Sequence, residues 1–86
     1  MIKRNDVADK LIQYLCHKIT RAELIDWAEN AMMDAEFDNI DFITIREVIS
    51  RVGLADVKAF GLTWEDCEEF LTRLGYRVKI QFSKVA

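Results

Sequence analysis

Apolar residues recur every three or four positions in four segments of the chain, and this spacing predicts four amphipathic α-helices. The predicted helices cover residues 5 or 6 to 17, the cap at 20 to residue 36 or 37, the cap at 41 to residue 51 or 52, and residues 64 to 74. A shorter helical turn is predicted over residues 54–60. The pattern therefore indicates a mainly α fold, a compact bundle of about four helices.

Polar residues and glycines mark the predicted helix ends. Thr20 and Glu23 are placed to form a capping box, in which each side chain accepts a hydrogen bond from the other residue's backbone N–H. Thr63 is followed by an acidic residue three positions later and repeats this chemistry. Gly53 is predicted just beyond the third helix, where glycine adopts a positive φ at little cost, and Gly75 is predicted to end the fourth.

The last predicted element has a different period, because apolar and polar residues alternate over residues 76–82. Alternation indicates a half-buried C-terminal β-strand, which needs a partner for its backbone N–H and C=O groups. Three partners are open: residues 1–4 of the same chain, the strand of a second copy in a homodimer, or a strand added by another protein.

The whole chain of 86 residues is interpreted as one domain, residues 1–86, and its 51% hydrophobic content excludes intrinsic disorder. The two cysteines, Cys16 and Cys67, form no CxxC pair and are predicted to be buried free thiols. No secretory signal is recognised, and no apolar run reaches the roughly 18 residues of a membrane span. We therefore expect a cytoplasmic protein.

Bulky apolar residues on the helical stripes are predicted to pack in the core. They include Ile12, Trp27, Met32, Phe42 and Trp64. The two tryptophans have an alternative interpretation as interface anchors, because tryptophan is enriched in binding hot spots. Met33 lies towards the polar side of its helix and is predicted to be an exposed apolar residue.

The net charge of −3 hides a segregated pattern. Residues 22–44 contain seven acidic residues and no basic one, whereas both ends of the chain are basic. Part of this pattern is accounted for by acids in first helical turns and by basic ends folding onto the acidic middle. The rest predicts a partner-binding acidic face that suits a basic protein. Its candidate residues are Asp26, Glu29, Asp34, Glu36, Asp38 and Asp41.

Motifs that carry catalysis or bind cofactors are not recognised. The acids at 34, 36 and 38 have the spacing that opens an EF-hand loop, but the sixth position is Asn39 and the twelfth is Ile45, where glycine and glutamate are needed. The single histidine, His17, is predicted in the last turn of the first helix, and its neighbour Cys16 points about 100° away from it. We therefore expect no enzyme, no cofactor and no metal.

Two segments resemble bacterial protein families. Residues 11–23, LIQYLCHKITRAE, resemble the opening of small helical immunity proteins, in which a helix, a KIT turn and a second helix recur. This resemblance implies neutralisation of a basic nuclease domain by acidic side chains. Residues 70–80, FLTRLGYRVKI, are similar to the last helix and strand of helix-turn-helix antitoxins, which read DNA with the preceding helices.

The sequence thus predicts a small non-catalytic protein-interaction module that neutralises or regulates a basic partner. One alternative is a DNA-binding regulator that uses its exposed bases. Those bases are Arg46, Arg51, Arg73, Arg77 and Lys79. Four acids in residues 63–72 would repel phosphate at the helix expected to enter the groove. The other alternative is a homodimeric structural domain.

Overall fold

The computed structural model describes residues 1–34, 36–56 and 62–77, and within them it contains four α-helices. These are α1 (Arg4–Leu15), α2 (Arg21–Asp34), α3 (Phe42–Gly53) and α4 (Trp64–Arg73), with a 3₁₀ turn at Leu54–Asp56 after α3. The prediction of a mainly α fold with four helices is confirmed. The predicted strand at 76–82 begins with two residues outside any regular element, and the rest of it lies outside the described residues.

All four helices contribute to one core, because each presents its apolar stripe to the others. Helix α3 buries four side chains on one face at helical spacing. The core cluster consists of Val7, Ala8, Leu11, Leu24, Ala28, Ala31, Ile45, Val48, Ile49, Val52, Cys67, Phe70, Leu71 and Leu74. Helix α2 packs mainly on α3, which fixes the mutual position of their outer surfaces.

Two helix starts are capped as the sequence predicts. The Thr20 N–H donates to Glu23 Oε1 at 3.2 Å, and the Glu23 N–H donates to Thr20 Oγ1 at 3.1 Å. At α4 the Thr63 N–H donates to Asp66 Oδ2 at 3.0 Å and the Asp66 N–H donates to Thr63 Oγ1 at 3.1 Å. Both capping boxes satisfy backbone donors that the first helical turn leaves without a partner.

The helix ends differ from the prediction at Gly53. This residue is the last of α3 and has no positive φ, because the chain continues in the right-handed sense into the 3₁₀ turn through Leu54 (φ −83°, ψ −7°). Gly75 does take the left-handed conformation, at φ +92°. Its N–H donates to the Thr72 carbonyl and the Tyr76 N–H donates to the Leu71 carbonyl, which is a Schellman ending.

Helix α1 ends in the same way, with a histidine in the glycine position. His17 has φ +60°, its N–H donates to the Tyr14 carbonyl, and the Lys18 N–H donates to the Gln13 carbonyl. Because the helix stops at Leu15, His17 lies after the last turn and not inside it as predicted. The left-handed conformation is less favourable for a histidine than for a glycine, because the histidine Cβ crowds the backbone.

The N-terminal segment pairs with the connection between α2 and α3. Ile2 forms a parallel bridge with Phe37, in which the Ile2 N–H donates to the Glu36 carbonyl and the Asp38 N–H donates to the Ile2 carbonyl. The backbone groups of Lys3 face the start of α1, where its N–H donates to Asp6 Oδ2 and its carbonyl accepts from the Asp6 N–H. The backbone groups of Ile2 and Lys3 are therefore already hydrogen-bonded and cannot pair with the C-terminal strand that the sequence predicts.

Several residues predicted to be buried lie on the surface. Cys16 is exposed because α1 ends one residue earlier, whereas Cys67 is buried as predicted. Trp64 is the first residue of α4 and is exposed beyond the core, while Trp27 is half-buried. Ile12 is partly exposed at the edge of the α1 stripe.

Met32 and Phe42 are exposed near the junction of α2 and α3, and the prediction that both are buried is wrong. Met32 lies at the margin of the helix pair, with its sulfur 3.6 Å from Ser50 Oγ. Phe42 is the first residue of α3 and packs on the Phe37 ring, with 5.8 Å between ring centroids. Their positions at helix ends place them outside the buried stripe.

Candidate protein-docking surface

Two of the predicted acidic residues lie close together on the surface of α2. Asp26 and Glu29 are both exposed and lie on one face of the helix, three positions apart. Among the described residues, neither carboxylate makes an ion pair. Asp26 accepts only a long hydrogen bond from Asn30 Nδ2 at 3.5 Å. We call this pair of residues the acidic face of α2.

The other predicted acids lie in and after the exit from α2, and two of them have local roles. Asp38 Oδ1 accepts from the Ile40 N–H at 3.2 Å and so stabilises the turn. Asp41 precedes α3, but its side chain makes no capping bond; Oδ2 lies 3.8 Å from Arg4 Nε. Glu36 is exposed. Asp34 is the last residue of α2, and its side chain lies outside the described part of the chain.

Two arginines, one on α3 and one on α4, form ion pairs within the fold. Arg51 Nη2 lies 3.5 Å from Asp66 Oδ2, and Arg73 forms an ion pair with Glu47, so that both pairs join α3 to α4. Hydrogen bonds from Thr63, with the Arg51 charge nearby, lower the pKa of Asp66 below its ordinary value. Two of the bases that a DNA-binding role would use are therefore engaged with carboxylates.

An apolar hollow lies directly beside the acidic face of α2. Exposed side chains of Met32, Met33 and Leu54 line it, and Glu29 and Ser50 also contribute to its wall. The hollow runs along the seam where α2 packs on α3. A charged carboxylate thus borders an apolar surface that a partner could desolvate.

A second hollow continues the same surface along α3. Phe42, Ile43 and Arg46 line it, and it shares Ser50 and Leu54 with the first hollow. The exposed apolar side chains of both hollows form one continuous patch. We call it the apolar surface, and it consists of Met32, Met33, Phe42, Ile43 and Leu54.

Sequence reasoning identified only one member of the apolar surface. Met33 was predicted to be exposed from its place on the polar side of α2, and it is 78% exposed. Ile43 offered a comparable signal, because it lies outside the stripe at 42, 45, 48, 49 and 52. Leu54 falls in the 3₁₀ turn, where no helical period assigns a face. Its exposure follows from tertiary packing alone.

Chemically reactive groups are separated from one another. Burial, together with the nearby Asp66 charge, raises the pKa of the Cys67 thiol to about 11, so it is protonated and inert at neutral pH. His17 borders a different cavity, whose other lining residues include Tyr14 and Trp64. Within the described parts of the chain, no group of three or more potential metal ligands lies together, and no helix is long and apolar enough to cross a membrane.

Comparisons of the chain with protein-family models, with curated proteins and with solved structures gave no match. On the surface of α2 and α3, carboxylates without an ion pair among the described residues adjoin exposed apolar side chains.

Proposed function

We propose that this chain is a non-catalytic protein-interaction module that binds a basic protein partner through the acidic face of α2. The observation that carries the proposal is the state of Asp26 and Glu29, which are exposed and have no ion-pair partner among the described residues. Asp41 and Asp66, by contrast, are engaged by arginines. Glu68 and Glu69 of α4 are also exposed without an ion pair among the described residues, but unlike Glu29 they do not border the apolar surface. Within the part of the chain that the structure describes, no arginine or lysine compensates the acidic face of α2, so it can accept a cation from outside.

Complementary charge raises the association rate and the specificity of such a module more than its affinity. Exposed carboxylates raise the rate of encounter with a basic surface and lose that advantage as salt screens them. Additional affinity would come from apolar contact next to Glu29, where Met33 is exposed. A neutralising or regulatory role agrees with the resemblance of residues 11–23 to immunity proteins.

Affinity capture with matched charge reversals tests the proposal. Wild-type protein, an Asp26→Lys/Glu29→Lys variant and a Glu68→Lys/Glu69→Lys control would each be used as bait in extracts of the source cells. The control makes the same change of net charge on α4, where Glu68 and Glu69 are also exposed. Circular dichroism would establish that all three proteins are folded.

We expect a basic protein to bind the wild type and the α4 control, and to be lost with the α2 reversal. Its capture should also weaken as sodium chloride is raised. Recovery of the same proteins by all three baits would contradict the proposal. So would a specific partner that carries no basic surface, because the carboxylates would then have no complementary charge to meet.

A further inference from the structure

The apolar surface is large for a chain of this size. Its five side chains are between 41% and 78% exposed. Side chains of this size at that exposure form a patch on the order of 500 Å², within the range where a patch on a monomer is often functional. With a polar rim, such a patch approaches the roughly 800 Å² per partner of a standard protein interface.

Charges of opposite sign stand at the two ends of this surface. Glu29 lines only the first hollow and Arg46 lines only the second, whereas Ser50 and Leu54 line both and therefore lie between them. Glu29 and Arg46 are exposed, and neither makes an ion pair among the described residues.

Glu47 and Arg51 also line the second hollow, but Glu47 is ion-paired with Arg73 and Arg51 with Asp66. Arg46 is therefore the uncompensated charge at that end among the described residues, and the surface has an acidic end, an apolar middle and a basic end.

We propose that the occupant of the apolar surface is a second copy of this chain, docked about a two-fold axis that passes near Ser50 and Leu54. A two-fold axis brings the acidic end of each copy onto the basic end of the other, so Glu29 of each protomer faces Arg46 of its partner. The apolar side chains of both copies meet in the middle and leave water. The surface is thus complementary to itself in charge.

A purely basic partner fits this surface less well, because it would meet Arg46 at one end. The dimer proposal does not rest on the proposed function. Because Glu29 takes part in both interactions, a second copy and a basic protein would compete for it. Dimerisation is measured with the purified chain alone, whereas binding of a basic protein needs that protein. Failure of one proposal therefore leaves the other standing.

Sedimentation velocity of the full chain from micromolar to submillimolar concentration tests the dimer. Ile43→Glu and Ile40→Glu make a matched pair: Ile43 is 70% exposed within the apolar surface, whereas Ile40 is 86% exposed and lines neither hollow. We expect the wild type and Ile40→Glu to dimerise and Ile43→Glu to be monomeric. Circular dichroism would verify that each variant is folded.

A charge swap tests the pairing across the axis. Glu29→Arg alone or Arg46→Glu alone places like charges together at both ends of the interface, and each is expected to weaken the dimer about tenfold or more. The double variant restores opposite charges and should restore dimerisation, while it leaves binding to a basic protein impaired. Folded wild-type protein that stays monomeric at every concentration would overturn the proposal. A dimer that survives Ile43→Glu, or a double variant no better than its parents, would also overturn it.

Discussion

Replacing Gly53 and Gly75 by alanine is expected to change the stability of the fold in opposite directions. Gly53 is the last residue of α3 and has right-handed backbone geometry, and a Cβ built there meets nothing within 4 Å. Gly75 follows α4 with φ +92°, and a Cβ there lies 3.5 Å from Arg4 Nη1, an ordinary van der Waals distance. Neither substitution creates a clash, so backbone conformation decides the sign in both.

The magnitudes follow from the backbone alone. Alanine is favoured over glycine by about 1 kcal/mol in a helix interior, and roughly half of that is expected for Gly53 at the helix end. At Gly75 an alanine Cβ makes the left-handed conformation cost about 1–2 kcal/mol, partly offset by a less flexible unfolded chain. We expect Gly53→Ala to stabilise by about 0.5 kcal/mol and Gly75→Ala to destabilise by about 1 kcal/mol.

Urea denaturation followed by circular dichroism measures both variants against the wild type, at a protein concentration low enough that self-association does not contribute. Thermal melting should separate the two variants by roughly 6–12 °C, since 1 kcal/mol corresponds to about 4–8 °C in a domain of this size. If Gly75→Ala were neutral, or if both variants moved the midpoint in the same direction, the assigned helix endings would be wrong.

Three further predictions concern groups elsewhere in the fold. His17→Gly should raise the free energy of unfolding by about 0.5 kcal/mol, because relief of the left-handed strain exceeds the entropy cost of glycine. Urea denaturation should show this as a higher midpoint, and a lower midpoint would refute it. A thiol reagent at neutral pH should modify Cys16 alone in the folded protein and both cysteines in denaturant; rapid modification of Cys67 in the folded state would contradict its burial. Because the pKa of Asp66 is lowered from 3.8, its stabilisation is complete above that value and is lost as the pH falls through the lower folded-state pKa. Asp66→Asn should therefore be less stable than the wild type at neutral pH, and the gap should close in acid; a gap independent of pH would count against this assignment.

Local sequence chemistry predicted the helices and their starts well. The capping boxes at Thr20 and Thr63 require only residues three positions apart, so no tertiary information is needed. The burial of Ile45 and Ile49 follows from the same short-range periodicity. Both features are encoded by residues close together in sequence, which is why the mainly α fold could be predicted.

Features that depend on the tertiary packing of helices and connecting segments could not be predicted from the local sequence pattern. Gly53 was assigned a left-handed conformation because glycine commonly ends helices, but the following 3₁₀ turn continues the right-handed path. Ile2 pairs with Phe37 across a long separation in sequence that no local pattern encodes. Leu54 becomes part of the apolar surface only because α2 packs against α3 at that point.

The sequence alone does not distinguish the two acids of the acidic face from neighbouring acids that have local structural roles. Counting charges placed Asp26, Glu29, Asp38 and Asp41 in one block. Asp38 supports a turn and Asp41 faces Arg4, whereas Asp26 and Glu29 remain uncompensated among the described residues. Charge segregation therefore indicated the region, and the geometry divided it into acids used by the fold and acids available to a partner.

Site-specific photo-cross-linking tests the central claim, that the acidic face of α2 binds a basic protein, most directly. A photoreactive residue would replace Asn30, which lies beside Asp26 and Glu29 on α2, and in a control protein would replace the exposed Glu69 of α4. We expect a discrete adduct with a basic protein at position 30 only, with a yield that falls as ionic strength rises. Equal adducts at both positions, or a yield at position 30 that does not respond to salt, would contradict the account.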